Sequence, residues 1–352
     1  MRVSYLITWP GDHRTGVFKK IVDQVTTWSA LGVEAGLFVA TSPGSAGDWA
    51  AVPQVRHLEV FSGAAQSFRA QRPLVAALRS WGADISYVRT TPRHFFVGGA
   101  LERIPHVIEI QTDDLAESRG LSPARHALTR ATRKRCLSGA TGLVFVSREL
   151  ALLPSYEQLT TARTVIGNGI DFTRIPKLPP SQNAQPRLAF MGLPGAPWHG
   201  IEDILLLASH RPEWTFDLIG PSANALRLPS NVSAHGELSA SEYQPILGRA
   251  DAAISSLAWY RNGMNEASPL KSREYLALGL PVIGAYEDTD IPEESDVFLR
   301  LANRQGAILD ELPRVETFLK SWKERRVARR DVAYLDIRVK ESRRLEFLAS
   351  LA

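Results

Sequence analysis

Glu266 and Glu274 stand with seven residues between them in the segment NEASPLKSREYLALGLPVIG, residues 265–284, and Lys271 lies inside that interval. The punctuation predicts a short helix over 269–278. Ser268 is a suitable N-cap, Pro269 fits the first position because its missing N–H would be unpaired there anyway, and Gly279 stands just past the end. Such a helix start presents free amides and partial positive charge. A lysine in that first turn costs roughly a few tenths of a kcal/mol unless an anion is present. With a bound phosphate, amides and ammonium act together. The other reading is a Lys271–Glu274 surface pair at i, i+3, worth less than about 1 kcal/mol.

The elements that must hold these residues alternate between strand and helix. RVSYLIT reads as a buried strand, and PGDHRTG as a loop. VFKKIVDQVTTWSAL follows as a helix with Val17, Ile21, Val25 and Trp28 on one face, then a stop at Gly32 and the strand VEAGLFVA. The strands VRHLEVF, DISYVRT, HVIEI and TGLVFVS continue the series, with helices around PLVAALRSW and PARHALTRATRKRCLSG between them. The stretch TRIPKLPPSQNAQP is rich in proline and polar residues and lacks apolar periodicity, which marks a connection between domains. A second series follows: strand RLAFMG, helix GIEDILLLASH, strand WTFDLIG, helix SASEYQPILGRA, strand DAAISSLA, then the segment above. DELPRVETFLKSWKERRVARR and the closing DVAYLDIRVKESRRLEFLASL read as helical.

This pattern is α/β, with two doubly wound, mostly parallel sheets. It divides the chain into an N-terminal domain at 1–168, a linker at 169–186 and a C-terminal domain at 187–328, with a last segment at 329–352. Two such domains facing a cleft would bind ligand outside the carboxyl ends of their strands.

Composition narrows the classes. A hydrophobic content of 44% with 22% charged residues fits a soluble protein with real cores. The net charge of +4 is too small to argue for nucleic acid, but it suits work near phosphates or an anionic membrane surface. The single cysteine, Cys136, allows neither an intrachain disulfide nor a cysteine zinc site, and fits a reducing, cytoplasmic setting. The first residues lack the apolar run of a signal peptide, and no stretch is long enough to cross a bilayer. A nicotinamide enzyme would need G-x-G-x-x-G after a strand. The nearest match, GNGIDF, lacks the third glycine and a following helix. The P-loop motif is absent, and the triplet Asp288-Thr289-Asp290 is too common in loops to argue for a metal.

The stretches FMGLPGAPWHGIEDILLLA, FDLIG, NVSAHGEL and DAAISSLAWYRNGMNEASPLKSREYLALGLPVIGAYEDTD resemble the retaining, nucleotide-sugar-dependent glycosyltransferases of family 4. The resemblance is closest to a bacterial subgroup with PWHG and EASPLKxREYLAxGLPVI patterns. TGVFKKI and GLVFVSREL match more loosely. The resemblance implies the GT-B fold of two Rossmann-like domains, with the last helix crossing back to the first domain. It implies that Glu266 contacts the transferred sugar and Glu274 the ribose hydroxyls. The backbone at Ala267 and Ser268 would face the diphosphate. Lys271 and Arg261 are added here as cations of that anion site.

The family pattern also has an arginine and a lysine on the diphosphate, where this chain has Leu193 and His199. His199-Gly200 precedes a helix, so a helix start would still offer amides, with one donor from His199. His199 is otherwise a solvated loop residue. Gly16 opens a helix after a strand and would bring its backbone near the donor phosphates, or simply begin the helix. Asp113 follows HVIEI and is the candidate near the acceptor hydroxyl, or the N-cap of a following turn.

The expected reaction moves a sugar from a nucleoside diphosphate to a glycan or lipid-linked acceptor with retention, in bacterial surface or exopolysaccharide synthesis. The nucleotide sugar is a co-substrate, and neither cofactor nor metal is expected. The basic run RHALTRATRKRC and the basic tail KERRVARR would allow peripheral contact with an anionic membrane at its cytoplasmic face. Leu193 and His199 also leave open a degenerate, binding-only relative of such enzymes.

Overall fold

A computed structural model describes residues 1–13, 15–89, 101, 104–119, 123–225 and 227–352. The chain forms two compact units, Met1–Gly167 with Ile337–Ala352, and Asn168–Asp336.

The first unit is built on β1 (Arg2–Thr8), β2 (Glu34–Thr41), β3 (Val55–Val60), β4 (Ile85–Arg89), β5 (His106–Ile110), β6 (Gly142–Phe145) and β7 (Ala162–Val165). Their order is β3-β2-β1-β4-β5-β6-β7, and every neighbouring pair is parallel. All of β1 from Val3 to Thr8 is buried, as a parallel strand covered on both faces must be. Its serine pairs across the sheet: Ser4 Oγ donates to Ser86 Oγ at 2.7 Å. The Gly16–Ala30 helix buries Phe18, Ile21, Val25 and Trp28 on one face. Thr90 of DISYVRT lies outside the described residues.

The second unit has a six-stranded parallel sheet: β8 (Arg187–Met191), β9 (Thr215–Ile219), β10 (Val232–Ala234), β11 (Ala252–Ile254), β13 (Val282–Gly284) and β15 (Phe298–Arg300), in the order β10-β9-β8-β11-β13-β15. A two-residue parallel ladder joins β12 (Glu266–Ala267) to β14 (Glu287–Asp288). The chain winds outward from β8 through β9 to β10, then returns to the other side of β8 as β11. The strand order therefore reverses between β8 and β11. In open α/β sheets such a reversal opens a crevice at the carboxyl ends.

The stretch 169–186, read from sequence as a connection, lies along the second unit. Ser181 Oγ donates to Asp251 Oδ1 at 2.5 Å, Leu178 N to Leu278 O at 3.2 Å, and Arg326 Nε to Pro179 O at 2.8 Å. The helix expected over 310–330 stops early. It is split into Ala307–Asp310 and Leu312–Ser321, and residues 325–328 belong to no helix or strand. Arg326 explains the break, because its guanidinium also binds the carbonyls of Ala250 and Gly248. A tight 3-10 turn, Arg329–Leu335, leads to the last helix, Ile337–Ala349.

Candidate functional site

The helix predicted over 269–278 is Leu270–Leu278, and its cap differs from expectation. Pro269 occupies the N-cap position, and no side chain caps the helix. Ser268 fails as cap because its oxygens are already engaged. Its Oγ accepts the Asn168 amide at 2.8 Å, and its carbonyl accepts Asn168 Nδ2 at 2.5 Å. The first turn contains no acidic residue and no side-chain cap, so its free amides have no counter-charge from the helix itself. Gly279 ends the helix at φ +95°, a left-handed geometry that suits glycine.

Lys271 sits in that first turn. Its stem is half-buried, but its Nζ is fully buried and has no hydrogen-bond partner among the described residues. The ammonium lies 4.4 Å from the centroid of Phe190, near the carboxyl end of β8. Burial lowers its pKa to about 7. The surface-pair reading of Lys271 with Glu274 is thereby set aside. Phe190 also meets the His199 ring, 5.2 Å between centroids. The structure thus brings Lys271 and His199 onto the same aromatic side chain, at the reversal between β8 and β11.

His199 is not a solvated loop residue. It is only 4% exposed, and its Nδ1 is buried without a partner among the described residues. Burial first, then the Lys271 charge, push its pKa down to about 3, against a hydrogen bond with the Leu193 backbone. Both effects favour the neutral imidazole. Gly192 makes room for it, since a Cβ there would stand 2.5 Å from His199 Cε1. Gly200 is also required. It has φ +66°, and a Cβ would stand 2.9 Å from Leu257 Cβ. Leu193 itself is 71% exposed.

Gly200 is the N-cap of the Ile201–His210 helix, which the sequence suggested as a second phosphate-facing start. Glu202 and Asp203 already fill that first turn, so its positive end is matched internally. Arg261 is drawn to the same place. It forms an ion pair with Glu202 and donates to Pro197 O at 2.9 Å. Of the two cations added to the anion site, the structure leaves Lys271 uncommitted and commits Arg261 to a carboxylate.

Glu266, on β12, is 6% exposed. Its ladder partner is Glu287, and the carbonyl of Ala267 accepts Thr289 N at 3.0 Å. Glu274 is half-buried on the helix, and its Oε1 accepts the Tyr243 hydroxyl at 2.5 Å. Burial and this carboxylate raise the Tyr243 pKa strongly, so the phenol stays a donor. Behind the helix, the hydroxyls of Ser255, Ser272 and Tyr286 form a closed buried triangle with edges of 2.6–2.9 Å. Arg273 is fully buried and binds Asp288, Asp290 and the Asn168 carbonyl. The Asp288/Asp290 pair is thus engaged with a guanidinium.

Sequence reading missed Phe190 and Tyr243. Phe190 had a usable signal, as the aromatic residue two positions before the glycine that follows a strand. Tyr243 had none, being a helix residue 31 positions from Glu274.

Two further candidates lie in the first unit. Gly16 is the first residue of its helix, and Thr15 Oγ1 caps it by accepting Phe18 N at 3.2 Å. Asp113 caps the Asp114–Arg119 helix, its Oδ1 accepting the amides of Leu115 and Ala116 at 3.0 and 3.1 Å. On the basic helix Pro123–Ser138, the side chains of Arg125, Lys134 and Arg135 lie outside the described residues. Among the described residues no helix is long and apolar enough to cross a membrane, and no group of three or more His, Cys, Asp or Glu residues could hold a metal ion.

The sequence matches no family model and no curated protein. The structure is similar to sucrose-phosphate synthase from Thermosynechococcus elongatus, with a TM-score of 0.74, 14% identity and 100% of both chains covered. It is similar to HepE from Anabaena, solved with UDP and glucose, at 0.67, 15% identity and 99% of both chains. A putative UDP-N-acetylglucosamine 2-epimerase from Listeria monocytogenes follows at 0.57 and 13% identity, covering 98% of this chain and 94% of that one. The chain has the α/β architecture of these proteins, two Rossmann-like domains of the GT-B type. A fold shared by a synthase and an epimerase does not fix the reaction, which has to be argued from the site.

Proposed function

We propose that this protein is a retaining glycosyltransferase of the family 4 type, using a nucleotide-diphosphate sugar as donor. The observation that carries the reading is Lys271: a buried ammonium without a counter-ion among the described residues, in the first turn of an uncapped helix, at the strand-order reversal. A diphosphate supplies what that place lacks. Its charge would restore the protonated lysine, and the helix amides would share its oxygens. Glu266 would contact the transferred sugar, and Glu274, held by Tyr243, the ribose. Ala267 and Ser268 would contribute backbone, and His199 a buried ring nitrogen. Gly200 would shape the turn that presents that ring. Gly16 is proposed near the donor phosphates and Asp113 near the acceptor hydroxyl.

In the reaction the bond from the sugar's anomeric carbon to the phosphate oxygen breaks, and its electron pair leaves with the nucleoside diphosphate. The acceptor oxygen bonds to the same face of that carbon, and its proton passes to the departing phosphate. The barrier lies in separating an oxocarbenium-like sugar from an anion, so pre-aimed amides and a cation at that anion lower it. No covalent protein nucleophile is needed, and none is proposed. We further propose a role in bacterial surface or exopolysaccharide synthesis, with a glycan or lipid-linked acceptor and contact with the cytoplasmic face of an anionic membrane. UDP-sugars are the first donors to try, because HepE was solved with UDP and glucose.

The test is release of nucleoside diphosphate from a panel of labelled nucleotide sugars by the wild type and by Glu266→Ala. Turnover that is lost in the variant supports the reading. Binding without turnover in the wild type favours a binding-only relative, and no binding of any donor overturns the reading.

A further inference from the structure

Resting on the donor-site reading above, we infer that Asn303 and Trp259 are positioning residues for Glu266. Glu266 lies in the long connection between β11, which ends at Ile254, and the helix that starts at Leu270. A connection of that length holds one shape only if something pins it. Asn303, on the segment after β15, joins its two arms. Its Oδ1 accepts Tyr260 N at 2.7 Å, and its Nδ2 donates to Met264 O at 2.8 Å and to Asn265 Oδ1 at 3.0 Å. A primary amide suits this task because it offers an acceptor and two donors in one plane. An aspartate would keep the first contact and lose both others.

Trp259 adds a bond to the residue itself. Its Nε1 donates to the Glu266 carbonyl at 3.1 Å. The indole is fixed by Trp198 and Tyr286, at ring centroid distances of 6.5 and 6.2 Å. From the other side, Glu287 N donates to Asn265 O at 2.8 Å. The backbone on both sides of Glu266 is therefore held by bonds that do not involve its carboxylate. Lys271 and Glu274 stand on the helix and depend on none of them. Slackening this loop should then displace the group at the sugar and leave the contacts of Lys271 and Glu274 in place. A displacement near 1 Å at a reacting centre costs on the order of 100-fold in rate.

The experiment compares wild type, Asn303→Ala, Asn303→Asp and Trp259→Phe for turnover of the donor found above, for UDP affinity, and for amide exchange of residues 264–267 without substrate. Asn303→Ala should lower kcat by roughly 10- to 100-fold. Asn303→Asp should lie between it and the wild type, and Trp259→Phe should lose less. UDP affinity should fall far less than kcat in all three, since Lys271 and Glu274 stay on the helix, and exchange should quicken only in this loop. Unchanged kcat, or kcat and UDP affinity falling together, would overturn the inference. Trp259→Phe removes one N–H and keeps an aromatic ring, so it serves if an Asn303 variant does not fold. Should the wild type turn over no donor, the donor-site reading fails on that result. The anchoring of the loop is then decided by exchange alone, unchanged rates overturning it.

Discussion

Lys20 in the first unit and Lys271 in the second both bury their ammonium groups, and in both burial draws the pKa down to about 7. Their surroundings differ in kind. Lys20 Nζ lies 3.0 Å from Glu109 Oε1, and Arg89 reaches the other oxygen at 3.2 Å. Arg344 approaches the same carboxylate at 3.8 Å and forms an ion pair with Glu341. Trp28 Nε1 and Gln24 Nε2 also donate to Glu341, at 2.7 and 3.3 Å. Burial alone would raise the Glu109 pKa, but Lys20, Arg89 and Arg344 together bring it down to about 2. This cluster ties the Gly16–Ala30 helix, β4, β5 and the last helix into one core. Among the described residues, Lys271 has only an aromatic face and burial. One unit has built its counter-ion into the chain. In the other, no counter-ion for Lys271 lies among the described residues.

The contrast can be broken most forcefully at Glu109. Glu109→Gln removes the buried carboxylate that Lys20 and Arg89 bind, and a loss of about 3–5 kcal/mol of stability is expected. Urea unfolding at pH 7 measures it. The same variant should lose part of the acid sensitivity. Because the Glu109 pKa is depressed on folding, its contribution is present above the ordinary glutamate value and lost as pH falls toward about 2. A variant as stable as the wild type would show that the cluster is not what holds these elements.

Lys271→Met should do the reverse. It removes a cation with no hydrogen-bond partner among the described residues, so stability should hold or rise, while affinity for a nucleoside diphosphate should fall roughly 10- to 100-fold, as losing a charged hydrogen bond does. Equilibrium unfolding and titration calorimetry read the two effects separately. A stability loss matching that of Glu109→Gln would erase the distinction between the units.

The pH dependence of stability sharpens the point at smaller scale. The Lys271 pKa is lowered on folding, so between about pH 7 and the ordinary lysine range the unfolded chain holds a proton that the folded chain lacks. Stability should therefore rise with pH across that window. Lys271→Met should lose roughly one proton's worth of that slope, measured by urea unfolding at pH 7, 8 and 9. An unchanged slope would mean the ammonium is not shielded as its burial implies.

The smallest effect concerns Asp113. Asp113→Ala should cost about 1 kcal/mol through the lost cap. Asp113→Asn should keep the cap, so a thermal melt near the wild type with turnover abolished would assign the carboxylate to the acceptor. Full turnover would leave it a cap alone.

The alternation of strand and helix was readable because parallel strands buried on both faces appear as continuous apolar runs, as Val3 to Thr8 do. The short helix was readable from Pro269, Gly279 and the leucines between them. Its cap was not, because Asn168, 100 residues away, captures Ser268. Arg261, Lys271 and Arg273 look alike as three basic residues within one segment. Only the fold separates them: Arg261 goes to Glu202, Arg273 to Asp288 and Asp290, and Lys271 to no carboxylate among the described residues. Such pairings join distant positions and leave no local pattern to read.

Calorimetric titration of UDP and other nucleoside diphosphates into wild type and Lys271→Met, at pH 8 in buffers of different ionisation enthalpy, tests the donor site most directly. The expected result is binding by the wild type with uptake of a proton, and weaker binding without uptake in the variant. Equal affinity and equal proton exchange in the two proteins would contradict it.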